Sequence, residues 1–446
     1  MGLSGLEIYK HLPKSNCKEC GLPTCLAFAM KVAAKQASVD DCPRITEEAK
    51  NALGAASAPP QKLVTLGAGE HAIEVGQETV LFRHEETFHH ATGIAPRLSD
   101  KLSADELKTR CEGIKEMSWE RMGDIIAVDM VAIANDSGDA STFKSAVETV
   151  AGALPFPAVL MSSDVDALKG ALGAYADRKP VLCGATGETL EAMSGLAKDA
   201  DAVLCLTGKD PDEVAGLTEA ASKAGVKDIL ISPGEVPLKN ALGFLTATRR
   251  AALKKTFRAL GYPVLAMTPS DEAHQTVVDA CTFVCKYAAV VVAPITEPWQ
   301  ALAILTTRQN LYTDPRKPVQ VEAKMYEVNN PDKVAPVMIT TNFSLSYYSV
   351  HTEVEASRVP SRIIAVDTEG TSVLTAWAAD KFNAETITEA VKTAGVEEMV
   401  GHKKLVIPGH VAVLSAGIQD ESGWEVVVGP KEASGIGPFL KNQWKP

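Results

Sequence analysis

The chain has 446 residues, 46% of them apolar and 22% charged, which is material for roughly three domains. So apolar a chain offsets its ordering entropy, which excludes disorder as the main state, and its 32 Gly and 25 Pro are spread without a period, which excludes collagen-like architecture. A net charge of −12 argues against coating nucleic acid or an anionic membrane, since both need clustered Lys and Arg.

The N-terminal MGLSGLEIYKHLPK has no apolar core segment and no small-residue cleavage site, so no signal peptide is expected. Leu6 stands where a myristoylation start wants Ser or Thr. No apolar run is long enough to cross a bilayer. A cytoplasmic protein is expected.

Nine cysteines are an odd number, which argues against a closed disulfide framework. Cys17, Cys20, Cys25 and Cys42 follow a C-x2-C-x4-C-x16-C pattern inside a module spanning 1–58. Three thiols arise locally on a tight loop containing Gly21 and Pro23. The helix-like LAFAMKVAAKQA then carries the chain away and back, so that Cys42-Pro43 can close the site. A C-x4-C step and a terminal Cys-Pro favour a [4Fe–4S] cluster. Structural zinc more often repeats a C-x2-C pair on both sides, and it stays open as the alternative, with plain thiols behind it.

Residues 59–99 read as linker and short hairpins, with the linker-like AASAPPQ at 55–61 overlapping the end of the module. His84, His89 and His90 lie there without the partners that would complete a metal site. From 100 to 325, continuous apolar runs alternate with helix-like stretches. The runs are IIAVDMVAIA (125–134), AVLMSS (158–163), PVLCGAT (180–186), AVLCLTG (202–208), DILISPG (228–234), PVLAMTP (263–269), AAVVVAP (288–294) and PVQVEA (318–323). Unalternating apolar strands indicate a parallel sheet buried on both faces. Eight such repeats predict a TIM barrel, with a doubly wound sheet as the alternative. Helix caps are expected at Asp210-Pro211 and Ser270-Asp271. Cys183 and Cys205 read as buried core residues, and Cys281 and Cys285 as core packing.

The segment 326–446 reads as a smaller, doubly wound α/β domain. Its expected strands are 336–342, 362–370, 403–409, 411–417 and 424–430, with helices at 371–382 and 384–395. Polar clusters of Gly, Ser and Thr stand at TTNFSLSYYS (340–349), DTEGTSV (367–373) and GPKEASGIGP (429–438). Three at strand ends in one small domain suggest a ligand crevice. No phosphate loop, nucleophile elbow, HExxH or full dinucleotide fingerprint is present.

The run GLEIYK-x-LPK-x-NC-x-EC-G-x-PTCLAFA at 5–29 resembles the start of the large subunit of corrinoid iron–sulfur proteins. These serve the anaerobic acetyl-CoA (Wood–Ljungdahl) pathway, and their archaeal counterpart is the gamma subunit of the acetyl-CoA decarbonylase/synthase complex. The order of cluster module, barrel and C-terminal corrinoid domain extends the resemblance over the whole chain.

The resemblance implies that Cys17, Cys20, Cys25 and Cys42 hold a [4Fe–4S] cluster and that the C-terminal domain binds a cobamide. It places the cobamide contacts at Thr340, Ser346, Gly370, Thr371, Ser372, Val373 and the turn around Ala433. The D-x-H-x-x-G motif of other cobalamin proteins is missing, and His410 in IPGHVA lacks its Asp and its spacing. A cobamide without a protein histidine ligand is therefore implied, which eases access to Co(I). The implied activity is a relay. Co(I) takes a methyl group from methyltetrahydrofolate through a separate methyltransferase and passes it to acetyl-CoA synthase, while the cluster reduces stray Co(II). Implied partners are a small subunit in a heterodimer, the methyltransferase, CO dehydrogenase/acetyl-CoA synthase and a reductive activator, with neither nucleic acid nor membrane. The barrel is then a scaffold and the face toward the small subunit. The competing readings are a self-contained pterin-binding methyltransferase and an electron-transfer iron–sulfur flavoprotein subunit.

Overall fold

The computed structural model describes residues 5–33, 37–46, 49, 53, 59–314 and 318–446; residues 55–58 of the expected linker lie outside them. The chain divides into two compact units. One contains Met1–Leu81, His89–Thr109 and Asp129–Ile295, and the other Phe82–Phe88, Arg110–Val128 and Thr296–Pro446.

The first unit begins with the short helices Gly5–His11 and Cys25–Ala33. Ile8, Phe28 and Ala29 on these helices and Leu12 just after the first are buried in one small apolar cluster with Cys25 and Cys42. A closed barrel follows, of eight parallel strands. They are Gly93–Ser99, Val131–Ala134, Ala158–Met161, Val181–Ala185, Val203–Thr207, Ile229–Ser232, Val264–Met267 and Ala288–Ala293. Closure is made where the last strand pairs with the first, Val290 opposite Gly93. Ala95, Ala132, Val159, Val181, Val203, Leu230, Leu265 and Val290, one from each strand, fill the interior, so the barrel is a packed core and not a pore.

The antiparallel hairpin Leu63–Leu66/Ile73–Gly76 adds Val64, Leu66 and Val75 to that same core. It seals the amino end of the barrel. Gly67 N donates to Lys179 O and Lys62 N to Gly261 O, both just ahead of barrel strands. Gly76, at φ +95°, lies so close that a Cβ would stand 2.2 Å from Lys62 O and 2.7 Å from Pro263.

The barrel's first strand, Gly93–Ser99, is not among the expected runs. It carries Pro96 opposite Ala293, and a proline inside a strand argues against the pattern that marks buried parallel strands. IIAVDMVAIA divides into a hairpin strand, Asp124–Ala127, and the barrel strand Val131–Ala134. PVQVEA is not a barrel strand; within it only Gln320 makes an isolated bridge, to Phe343. The cap at Asp210-Pro211 is present, with Asp210 Oδ1 accepting from Glu213 N at 2.9 Å. The other cap is Glu272, because the helix starts at Ala273. Cys183 and Cys205 are buried in register on neighbouring strands. A hydrogen bond with Cys183, then burial, pushes the Cys205 thiol up. Cys281 is half-buried and Cys285 exposed, so neither is core packing.

The second unit holds a five-stranded sheet in the order Met325–Val328, Ser361–Val366, Val337–Thr341, Lys404–Ile407, Glu425–Val428. The first pair is antiparallel and the rest are parallel. Alternate residues feed two cores. Val337, Ile339, Leu405 and Ile407 pack with Ile387 and Ile418 on one face. Met338, Ile363 and Val406 pack with Tyr347, Val354 and Phe439 on the other. Helices therefore cover both faces, as in a doubly wound sheet. Numbered in chain order, the four parallel strands run 2-1-3-4, so the order reverses between Val337–Thr341 and Lys404–Ile407.

The expected strand at 411–417 is absent. That stretch forms a 3-10 turn, Gly409–Leu414, and the helix Ser415–Ser422, with Val411 buried and Val413 71% exposed. The polar TTNFSLSYYS turns out to open a helix, Ser344–Ser357. The helix expected at 371–382 is shorter, Val373–Ala378, because Asp380 turns left-handed (φ +58°) and Asn383 caps the next helix.

Candidate functional site

The cysteine module is built on an unusual loop. Lys14, Asn16, Lys18 and Gly21 all have positive φ, which coils the backbone tightly around the two thiols it carries, Cys17 and Cys20. Asn16 fastens this loop to the following helix. Its Oδ1 accepts from Cys25 N at 2.8 Å, and its own N–H donates to Cys25 Sγ at 3.4 Å. Cys25 thereby sits in the first turn of Cys25–Ala33. Cys42 follows the turn Val39–Asp41, which is held by reciprocal Ser38 and Asp41 capping bonds.

Cys20, Cys25 and Cys42 share the apolar cluster of the module, while Cys17 is half-exposed. Beside Cys17, Arg44 pairs with Glu19, which holds the Glu19 carboxyl below the usual carboxylate range. Among the described residues no three Cys, His, Asp or Glu side chains are grouped tightly enough to make a ready metal site. The donor set still fits an iron–sulfur centre: four thiols on one small module, an N–H directed at one sulfur, and an apolar surround. His89 and His90 serve structure, donating their backbone N–H groups to the buried carboxylate of Glu78.

The C-terminal sheet opens a crevice of about 350 Å³ at the carboxyl ends of its central strands, where the strand order reverses. Open α/β sheets bind their ligands at such points. Met338, Ile339, Val406 and Ile407 make its depth apolar. The first turn of Ser344–Ser357, the start of Val373–Ala378 and the turn at 429–433 form its walls. The walls depend on close backbone packing: a Cβ on Gly409 would lie 2.6 Å from Gly429 O.

Of the expected contacts, Thr340, Ser346, Ser372, Val373 and Ala433 line this crevice together. Gly370 and Thr371 do not; they form the turn behind the wall. Gly370 has φ +71°, and a Cβ there would lie 2.5 Å from Gln320 Cγ. Thr371 Oγ1 donates to Thr368 O at 2.8 Å.

Sequence reasoning gave no role at the crevice to three features. His410 lines the crevice, its Nε2 3.8 Å from Glu432 Oε1. Lys431 and Glu432 stand at the rim. Asn342 is buried behind the Gly370 turn. A polar residue directly after a central strand was the signal for Asn342; for His410 only its place two residues after a strand-ending proline could have served.

A family profile described as "CO dehydrogenase/acetyl-CoA synthase delta subunit" matches residues 63–440, and one described as "Putative Fe-S cluster" matches 12–44. The latter spans all four module cysteines. The chain is 46% identical to the corrinoid/iron–sulfur protein large subunit of Moorella thermoacetica, over 99% of both chains. It is 34% identical to the acetyl-CoA decarbonylase/synthase complex subunit gamma of Methanothermobacter thermautotrophicus, again over 99% of both. A dihydropteroate synthase structure from Thermus thermophilus aligns with 56% of this chain and all of its own, at 17% identity and a TM-score of 0.39. The barrel assignment rests on the strand pairing above.

Cysteine module, barrel and switch-point sheet on one chain define a multidomain α/β iron–sulfur protein. With full-length identity of this order, the chain belongs to the family of corrinoid/iron–sulfur protein large subunits and acetyl-CoA decarbonylase/synthase gamma subunits. Both of these relatives are named as subunits, the second of them as a subunit of a complex. No helix among the described residues is long and apolar enough to cross a membrane.

Proposed function

We propose that this chain is a methyl carrier of acetyl-CoA synthesis. It holds a corrinoid in the C-terminal crevice and a [4Fe–4S] cluster on Cys17, Cys20, Cys25 and Cys42. The observation that carries the corrinoid half is the crevice at the strand-order reversal, lined by Thr340, Ser346, Ser372, Val373 and Ala433. When bound, the corrinoid supplies a Co(I) centre that takes up a methyl group and hands it on, and the cluster supplies single electrons that restore that state.

The chain's own residues position and shield. The apolar depth formed by Met338, Ile339, Val406 and Ile407 excludes water from the buried part of a ligand. Thr340, Ser346 and Ser372 bring hydroxyls to the walls, which suits amide or phosphate groups on a ligand's edge. Gly370 and Thr371 act behind the wall, shaping the turn that presents Ser372 and Val373. His410 faces Glu432, and no Asp precedes it at the D-x-H-x-x-G spacing. The cobamide on this reading has no histidine ligand from the protein.

The barrel serves as scaffold and as the face toward a small subunit in a heterodimer. The methyl donor is methyltetrahydrofolate on a separate methyltransferase, the recipient is CO dehydrogenase/acetyl-CoA synthase, and a reductive activator supplies electrons, all in the cytoplasm.

The test is anaerobic purification from cells supplied with corrinoid, followed by metal analysis and a visible spectrum. About four iron and one cobalt per chain, with corrinoid bands that shift on reduction, are expected. Iron without cobalt would overturn the carrier reading in favour of an electron-transfer subunit. Direct pterin binding by the isolated chain would favour a self-contained methyltransferase.

A further inference from the structure

Asn342 directly follows the central strand Val337–Thr341 and is 2% exposed. Its Oδ1 accepts from Thr368 N at 3.0 Å, Thr368 Oγ1 at 3.1 Å and Gly370 N at 3.0 Å. Its Nδ2 donates to Gln320 Oε1 and Asp367 Oδ1, both at 3.1 Å. Two backbone N–H donors face one amide atom, which identifies that atom as the oxygen. The backbone of Asn342 is also occupied, N donating to Val366 O and O accepting from Val321 N. One side chain thus ties the end of the central strand to the 319–321 run and to the 367–371 turn.

That turn is conformationally expensive. Glu369 and Gly370 are consecutive left-handed residues, at φ +54° and +71°. Such backbone persists where surrounding bonds over-determine it. Two of the bonds on Asn342 Oδ1 come from the backbone of Thr368 and Gly370, on either side of Glu369. Ser372, Val373 and Leu374, the crevice wall, follow immediately. Asn342 is not itself part of the lining, so whatever it does for a ligand it does through this turn.

We propose that Asn342 is the positioning residue of the corrinoid crevice, an inference that rests on the corrinoid reading above. The position demands an acceptor on one atom and a donor on the other. Aspartate supplies the acceptor but sets a second carboxylate against Asp367. Alanine supplies neither and leaves the Thr368 and Gly370 N–H groups buried without partners, a loss worth about tenfold or more in an equilibrium that depends on the turn.

The test uses the full chain with its cluster in place, titrated with hydroxocobalamin and read by the visible spectrum. Iron content, thermal midpoint and the Co(II)/Co(I) midpoint potential are measured alongside. Asn342→Ala should bind about tenfold or more weakly with its iron unchanged. Asn342→Asp should also bind weakly and shift the potential. Asp367 is left in place in both variants, because its Oδ1 also accepts from Glu369 N at 3.0 Å. If Asn342→Ala fails to fold, Asn342→Asp decides. Binding equal to wild type by a folded Asn342→Ala, or by Asn342→Asp, would overturn the proposal. A wild-type chain that takes up no hydroxocobalamin would instead overturn the corrinoid reading itself.

Discussion

In the cysteine module, four thiols fall between Cys17 and Cys42, carried by a coiled loop, the start of a 9-residue helix and the end of a 3-10 turn, around one small cluster. In the C-terminal domain the crevice draws on residues from Met338 to Ile436, set by five strands with a separate core on each face. On the proposed reading the module relies on strong metal–thiolate bonds, so the donors matter and the scaffold can be slight. The crevice offers mostly hydroxyls and apolar surface, with His410, Lys431 and Glu432 at one side, so its shape has to be set by the fold. Two positive-φ turns at the candidate sites, at Cys17–Gly21 and Glu369–Gly370, are thus solved differently. The first is fastened by Asn16 to a cysteine, the second by Asn342 to a sheet.

The largest expected effects separate the two regions. Cys42→Ala should abolish iron binding and leave cobalt uptake intact, as read by metal analysis of anaerobically purified protein. Gly370→Val should do the reverse. It forces a side chain against Gln320 and Pro318 at a positive φ, collapsing the turn behind Ser372 while iron stays bound. Loss of both metals in either variant would break the comparison, because it would make the two regions one cooperative unit.

A core change of intermediate size sharpens it. Leu405 is fully buried in the central sheet, and Leu405→Ala should cost about 2–5 kcal/mol in the unfolding of that domain. Cobalt affinity should fall with it, and iron content should not.

The same contrast explains what could be read from the sequence. The cysteine pattern is local, so its spacing alone suggested the donor set. Seven of the eight barrel strands showed as apolar runs, because parallel strands buried on both faces leave that signature. Gly93–Ser99 escaped because Pro96 and Arg97 interrupt the run. Val411 to Gly417 misled because an apolar run does not report its period until something packs against it. The crevice was half-legible. Its polar clusters were visible, but Asn342 draws its partners from Gln320, Asp367, Thr368 and Gly370, and no local pattern shows that convergence.

A smaller effect should be confined to the barrel. Asp139 caps Ala140–Ala153, and hydrogen bonds from the Ser141 hydroxyl and from Thr142 N–H and hydroxyl bring its carboxyl down to about 2. A depressed folded-state value means that the contribution is complete above the unfolded value of about 3.9 and is lost as pH falls toward about 2. The stability difference between wild type and Asp139→Asn, followed by urea unfolding, should therefore shrink across that window. Cobalt retention should be unaffected by the substitution.

The smallest effect expected is at His410, and it bears most directly on how the crevice holds its ligand. The imidazole is the histidine of the crevice lining, and a ring nitrogen bound to cobalt would make it indispensable. Its Nε2 instead lies 3.8 Å from Glu432 Oε1, in a side chain 37% exposed and joined to a turn, not to the central strand. If shape holds the corrinoid, His410→Ala should leave the visible bands of the Co(II) form where they are in wild type and weaken binding only by the lost wall contact. If a nitrogen ligand holds it, the same substitution should shift those bands and raise the Co(II)/Co(I) potential, because removing a nitrogen donor destabilises the higher oxidation state. The second outcome would make the crevice resemble the cysteine module, with one strong bond in place of many weak ones.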